Sequence, residues 1–282
     1  MNDPENDSEF VAFLNNTNTN YIKDGYLNIV ATWANYTNNL PFAVDGCTSR
    51  KVNPSRKKDC GPQIPLQYKL PPVHSAKLHT FGKFQFKYGR VEIRARMPIG
   101  DWLYPYLILQ PIKYRSEENF VNQLRIAFTR SNALLQNNES IPISRDRLFG
   151  SAVLWKSGKF SEYVHFKKYS TYNPLSNDFH NYTLIWHKDH ITYKVDNNTY
   201  GTITNSTVLN AFNSECYIVL GLSAAGNVNF PDETIMFKHK RFLNNDPMGP
   251  YQFEKFTDKK TWTQPNLLID SVYVYKTHGT DE

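Results

Sequence analysis

A change of parity inside one alternating run constrains this chain more than any other feature of its sequence. In 84-FQFKYGRVEIRARM-97, Phe84, Phe86 and Tyr88 share one parity, whereas Val91, Ile93, Ala95 and Met97 share the other. A period of two places every second side chain on one face of a strand, so the run predicts two strand segments with one apolar face each. The switch falls at Gly89-Arg90, where a bulge or tight turn must separate them. Downstream, 181-NYTLIWHKDHITYKVDNNTYGTI-203 reads as consecutive strands joined by turns at Lys188-Asp189 and Asn197-Asn198. The runs 216-CYIVLGL-222 and 267-LLIDSVYVYK-276 add an apolar strand and a closing one. Turn residues recur at short intervals and no long amphipathic helical pattern interrupts them. These features predict an all-β sandwich rather than an α/β fold.

Length and composition bound the remaining possibilities. A chain of 282 residues suits one large domain, so a single sandwich over residues 1–282 is expected. Apolar residues make up 40% and aromatics 15%, which supports a sizeable core and excludes global disorder. No run of about 18 apolar residues occurs, so no membrane span is expected. The N-terminal MNDPENDSEF has no apolar leader core, which fits a cytosolic protein or the body of a processed one. Asn6, Asn15, Asn35, Asn138, Asn181, Asn197 and Asn205 each open an N-x-S/T triplet, and as a group they favour a secreted glycoprotein.

Cys47 and Cys60 flank the polar loop DGCTSRKVNPSRKKDCGP. A disulfide closing it would cost the unfolded chain about 3 kcal/mol of entropy and fits an extracellular protein; two free loop thiols are the alternative. Cys216 lies on an apolar strand and reads as a buried thiol. The formal charge is +6, with the densest basic run from Arg50 to Lys58. That run reads as a solvated loop, an anion-binding face being the alternative. No stacking aromatics interleave it, so no nucleic-acid partner is expected. The histidines show no His/Cys ligand spacing and no EF-hand loop is present, so neither metal nor cofactor is expected.

At 81-FGKFQFKYGRVEIRARMPIGDWLYPYLILQP-111 the sequence resembles glycoside hydrolase family 16. More narrowly, it resembles the glucanase-like domain of the arthropod β-1,3-glucan recognition proteins, also called Gram-negative bacteria-binding proteins. The segment 178-DFHNYTLIWHKDHITYKVD-196 resembles the family's D-F-H-x-Y-x-x-x-W and its hairpin. Further matches fall at 229-NFPDE-233 and 268-LIDSVYVYK-276, while NYIKDGYLNI and the Cys47/Cys60 loop fit the recognition-protein subgroup. The resemblance spans nearly the whole chain. It implies a jelly-roll β-sandwich of the concanavalin A-like lectin/glucanase type, with a glycan groove on its concave face. In that subgroup a small glucan-binding module precedes this domain, and the resemblance leads one to expect no such module within this sequence.

The enzymes of that family carry E-x-D-x-x-E after a Trp/Pro-rich strand: a nucleophile, a tuning Asp and an acid/base. Carried onto this chain, the three positions are Gln123, Arg125 and Phe128; a register without a bulge would end on Ala127. Residues two apart share a strand face, and the third position joins them only if a bulge resets the alternation. Retaining cleavage needs two carboxyl groups about 5–5.5 Å apart, and neither register supplies one. An amide cannot form the glycosyl ester, and a phenyl ring can neither give nor take the leaving-group proton. Arg125 would hold positive charge near an oxocarbenium-like centre. At about 5 Å and an effective dielectric of about 20 the repulsion is about 3 kcal/mol, or about two decades in rate. Glu117 and Glu118 in RSEEN have the wrong spacing and read as a solvated loop pair. No catalytic residue, and no enzyme, is expected.

Trp102 and Tyr104 occupy the stretch where the family carries groove aromatics, with Tyr104-Pro105 in place of Trp-Pro and Ile108 in place of the next Trp. In 153-VLWK-156 the family's His has become Leu154 while Trp155 is kept, and His180 of DFH is kept as well. Together with Gln123, these residues are the candidate glycan groove. Core or rim packing is the alternative for Trp102 and Trp155, a structural histidine the alternative for His180; Trp186 and Trp262 are assigned to the core. The resemblance implies a non-catalytic innate-immune recognition protein, secreted into haemolymph-type fluid. Such a protein would sense β-1,3-glucan or peptidoglycan and signal, through a co-receptor or serine protease, to a Toll or prophenoloxidase cascade. A lectin without that scaffold role, and an active glucanase with displaced acids, are the alternatives.

Overall fold

A computed structural model of the chain describes residues 9–35, 70–112, 122–156, 159–169, 174–236 and 240–276. Cys47, Cys60, Asn6, Glu117 and Glu118 lie outside the described residues. In chain order the strands begin with β1 (Val11–Phe13), β2 (Asn20–Lys23), β3 (Tyr26–Val30), β4 (Thr32–Trp33), β5 (Val73–Ser75) and β6 (Lys77–His79). Next come β7 (Gly89–Arg96), β8 (Leu103–Pro111), β9 (Gln123–Phe128), β10 (Arg147–Lys156) and β11 (Lys159–Lys168). The last are β12 (His180–Trp186), β13 (Ile191–Val195), β14 (Asn198–Ile203), β15 (Cys216–Ala224) and β16 (Asn266–Tyr275). Two short helices, α1 (Ser206–Ala211) and α2 (Gly249–Phe256), fill connections.

The strands form a six-stranded sheet ordered β11-β10-β9-β8-β15-β6 and a seven-stranded sheet ordered β14-β13-β12-β7-β16-β3-β2. Their strand pairs are antiparallel, and the sheets stack as a jelly-roll β-sandwich. A small third sheet, β1-β5-β4, closes one side. Alternation decides which faces meet: along β7, Val91, Ile93 and Ala95 are fully buried while Arg90, Glu92, Arg94 and Arg96 face outward half-exposed. Against them pack Leu107, Leu109 and Leu124 of the other sheet, all within one continuous core.

The parity break at Gly89 marks a change of sheet. Phe86 bridges Cys216 of β15, in the six-stranded sheet, whereas β7 belongs to the seven-stranded one. Tyr88 and Gly89 turn the chain with φ of 62° and 136°. A Cβ on Gly89 would stand 2.6 Å from the Tyr275 carbonyl oxygen, so only glycine fits. The expected first strand segment is thus reduced to a single bridge. The hairpin between β12 and β13 turns at Lys188-Asp189, closed by the His187 N–H on the His190 carbonyl at 2.9 Å. The next turn falls one residue earlier than the Asn197-Asn198 expected. Asp196 and Asn197 both take positive φ, 47° and 66°, as a two-residue hairpin loop with right-handed strand twist demands.

Candidate functional site

The outer face of the six-stranded sheet is read from its register. Arg125 of β9 stands opposite Ile108 of β8 and Ser151 of β10, while Gln123 stands opposite Val153. Between Arg125 and Phe128 the β9 chain uses three residues where β10 uses two, from Ser151 to Phe149. This extra residue is a bulge, and it returns Phe128 to the face carrying Gln123 and Arg125. The three side chains are neighbours. Arg125 donates through Nε to Gln123 Oε1 at 3.0 Å, and its Cζ lies 5.7 Å from the Phe128 ring centroid. Gln123 is half-buried, while Arg125 is 2% exposed and Phe128 1%.

Arg125 is held by more than its strand neighbour. Its Nη1 donates to the Tyr104 hydroxyl at 2.8 Å and faces Glu162 Oε1 of β11 at 3.6 Å. That same carboxylate oxygen accepts the Ser151 hydroxyl at 2.6 Å. Glu162 offsets part of the Arg125 charge, so the repulsion of about 3 kcal/mol expected at a reacting centre is an upper bound. A second carboxylate, Glu9, accepts the Ser223 hydroxyl of β15 at 2.6 Å, on the far side of Tyr104. From β11 to β15 is four strand spacings, about 19 Å between backbones at about 4.8 Å each. Arg125 and Tyr104 lie between these two acids. Neither acid occupies the position of a lost one.

The expected groove aromatics are placed differently from one another. Trp102, in left-handed backbone at φ 69°, is 5% exposed and packs edge-on against Phe230 and Phe242, at 5.4 and 5.0 Å between centroids. Tyr104 is fully buried against Phe128, Tyr106 and Phe230. Neither ring is open to a sugar: the loop carrying Phe230 and Phe242 covers Trp102, and Phe128, Tyr106 and Phe230 enclose Tyr104. Asp232 clamps that loop. Its Oδ1 accepts the Lys240 ammonium at 2.6 Å and both the backbone N–H and the side-chain amide of Asn244 at 2.9 Å. Trp155 is half-buried on β10, its backbone N–H on Asn122 Oδ1 at 2.8 Å.

His180 is not brought to this face. It opens β12 opposite Ala95 in the other sheet, with Nδ1 2.7 Å from Asp196 Oδ2. Trp186 is buried, and Trp262, half-buried, donates its indole N–H to the Asp101 carbonyl at 3.0 Å. Asn15, Asn35, Asn138, Asn197 and Asn205 are exposed; Asn205 also caps α1, and Asn181 is half-buried within β12. Among the described residues no group of three or more His, Cys, Asp or Glu is placed to hold a metal ion. Nor is any helix there long and apolar enough to cross a membrane.

Comparison with known proteins places this geometry. The model of the glycosyl hydrolases family 16 matches residues 150–239. Gram-negative bacteria-binding protein 2 of Drosophila melanogaster is 35% identical over 95% of this chain and 58% of its own length. The β-1,3-glucan-binding protein of Tenebrio molitor is 32% identical over 73% of this chain and 46% of its own. The chain is a homologue of the Gram-negative bacteria-binding and β-1,3-glucan-binding proteins. It spans about half the length of the curated relatives it matches. Among solved structures, the laminarinase catalytic domain of Thermotoga maritima superposes with a TM-score of 0.62 at 16% identity, covering 96% of this chain and 85% of that one. At that identity the likeness shows the fold. These homologues are named for binding rather than for cleavage.

Sequence reasoning missed Glu162, Arg130 and the Phe149–Phe166 pair. A signal for Glu162 was present: in 159-KFSEYVHFKK-168, Phe160, Glu162, Val164 and Phe166 share one parity, an acid in line with apolar residues. What the sequence did not show is that β11 pairs with β10, so that Glu162 faces β9 across it.

Proposed function

We propose that this chain is the glucanase-like part of a secreted, non-catalytic pattern-recognition protein that binds microbial wall polysaccharide. We infer further that it hands the signal to a protein partner, a co-receptor or serine protease of a Toll or prophenoloxidase type cascade. The observation that carries the reading is Arg125. On the bulged strand where a retaining glycosidase needs acids, a buried guanidinium links an amide, a tyrosine and Glu162 into one bonded set. A nucleophile and an acid/base at about 5–5.5 Å find no counterpart in that set. The names of the homologues support binding as the retained role.

Among the described residues of this face, the sheet edge offers a surface for sugar. On the same face as Gln123 and Arg125, Val164 is 48% exposed and Phe166 53% exposed, beside the half-buried Trp155. Apolar ring faces of this kind stack on the C–H faces of pyranose rings. The test is a titration of laminari-oligosaccharides against tryptophan fluorescence. A saturable shift that Phe166→Ala weakens supports glycan binding on this face. A flat response from a folded protein removes the glycan role and leaves only the protein-binding surface.

A further inference from the structure

Two arginines beside this edge have donors to spare. Arg130 follows Phe128 by two residues and is 7% exposed. Its Nε donates to the Asn229 carbonyl at 2.7 Å, and its two terminal amino groups have no hydrogen-bond partner among the described residues. Its Cζ sits 5.6 Å from the Phe128 centroid and 5.3 Å from that of Phe149. Arg147 precedes Phe149 by two on β10. Its Nε is buried without a hydrogen-bond partner, and its Cζ lies 5.4 Å over the ring of Phe166. Between the two guanidiniums stand Phe149 and the exposed Phe166, 6.1 Å apart.

Arg125 and Arg130 are both buried, with Glu162 3.6 Å from Arg125 and Glu9 accepting from Asn229, whose carbonyl holds Arg130. Burial lowers the proton affinity of Arg130, and the nearby Arg125 charge lowers it further, against opposing pulls from Tyr104 and Glu162. Lys168, exposed opposite Arg147, adds a positive charge at the rim. Buried N–H groups without acceptors are unfavourable, so an oxyanion arriving here would be held by charge-assisted bonds in a partly dry setting.

We propose that this face binds an acidic glycan, with a sugar ring against Phe166 and its carboxylate on Arg130, assisted by Arg147. The planar guanidinium fork fits a carboxylate. The inference rests on the glycan-binding reading given above and names the charge class of the ligand.

The test compares laminarihexaose with its C6-oxidised counterpart, a β-1,3-linked glucuronate hexamer, by calorimetric titration of the intact chain at low and physiological ionic strength. The expected result is affinity for the oxidised chain about tenfold tighter than for the neutral one, equivalent to about 1.4 kcal/mol. Arg130→Gln should erase that preference while leaving neutral affinity within about twofold, and Arg130→Lys should keep part of it. Thermal melting checks that both variants fold. If Arg130→Gln does not fold, the preference of the unmodified chain and its loss on Arg147→Gln decide instead. Equal affinity for the two hexamers, or a preference that none of these variants changes, overturns the inference and leaves glycan recognition standing. Failure to bind either hexamer overturns both.

Discussion

At the Trp102 end of the cleft face, Phe230 and Phe242 close over the indole, and Asp232 locks their loop through Lys240 and Asn244. At the β11 end, Phe149 and Phe166 form a comparable aromatic pair, yet Phe166 stays 53% exposed beside the Arg147 guanidinium that lies 5.4 Å over its ring. The same residue type thus does opposite work on one sheet. Where a loop arrives with its own hydrogen-bonding clamp, the aromatics become core; where none arrives among the described residues, a ring stays at the surface. The face is thus filled at its Trp102 end and exposed at Phe166. Arg125 sits between the two.

The comparison breaks most visibly at the clamp. Asp232→Ala removes the carboxylate from an ammonium whose side chain is fully buried. A loss of about 3 kcal/mol in urea unfolding is expected, with a red-shifted tryptophan emission as the roof loosens over Trp102. A loss below about 1 kcal/mol would mean the roof is held by apolar packing alone. In the middle of the face, a double-mutant cycle on Arg125→Met and Glu162→Gln should report coupling of about 1 kcal/mol. That modest figure follows from the 3.6 Å separation and the 18% exposure of the Glu162 side chain.

The closed end should also respond to pH. Burial, then the nearby Asp258, raises the Asp101 carboxyl from 3.8 to about 6, against opposing effects of Arg145 and Thr261. The folded state therefore binds this proton more tightly than the unfolded chain does. Stability falls as pH rises between about 4 and 6, and the penalty is fully present above that window. Asp101→Asn should flatten this slope and gain on the order of 1 kcal/mol at neutral pH, measured by denaturation across the range. The smallest effect belongs to the open end. Phe166→Ala should change stability by no more than about 0.5 kcal/mol while weakening laminari-oligosaccharide binding about fivefold.

Much of the fold was legible because it rests on local pattern. The alternation in 84–97, its break at Gly89 and the Lys188-Asp189 turn are written in neighbouring residues. The bulge behind Phe128 was foreseen only as a condition for the three positions to meet, and the β9–β10 register contains it. The burial of Trp102 was not legible, since Phe230 and Phe242, which cover it, lie more than a hundred positions downstream; Phe230 reaches Tyr104 as well. Glu162 escaped for a related reason: which strand lies beside β10 is set by the assembled sheet and not by any local run. The Asn197-Asn198 turn missed by one residue because several Asn and Asp in a row all tolerate positive φ, and strand pairing chooses among them.

The proposed role requires this face to hold sugar chains without cutting them. Incubating laminarihexaose with the folded chain and reading oligosaccharide length by mass spectrometry tests it directly. A hexamer of unchanged length is expected after long incubation, under conditions where titration shows it bound. Time-dependent shortening that disappears in Glu162→Gln would contradict it, since the acid beside Arg125 would then be working as a catalyst.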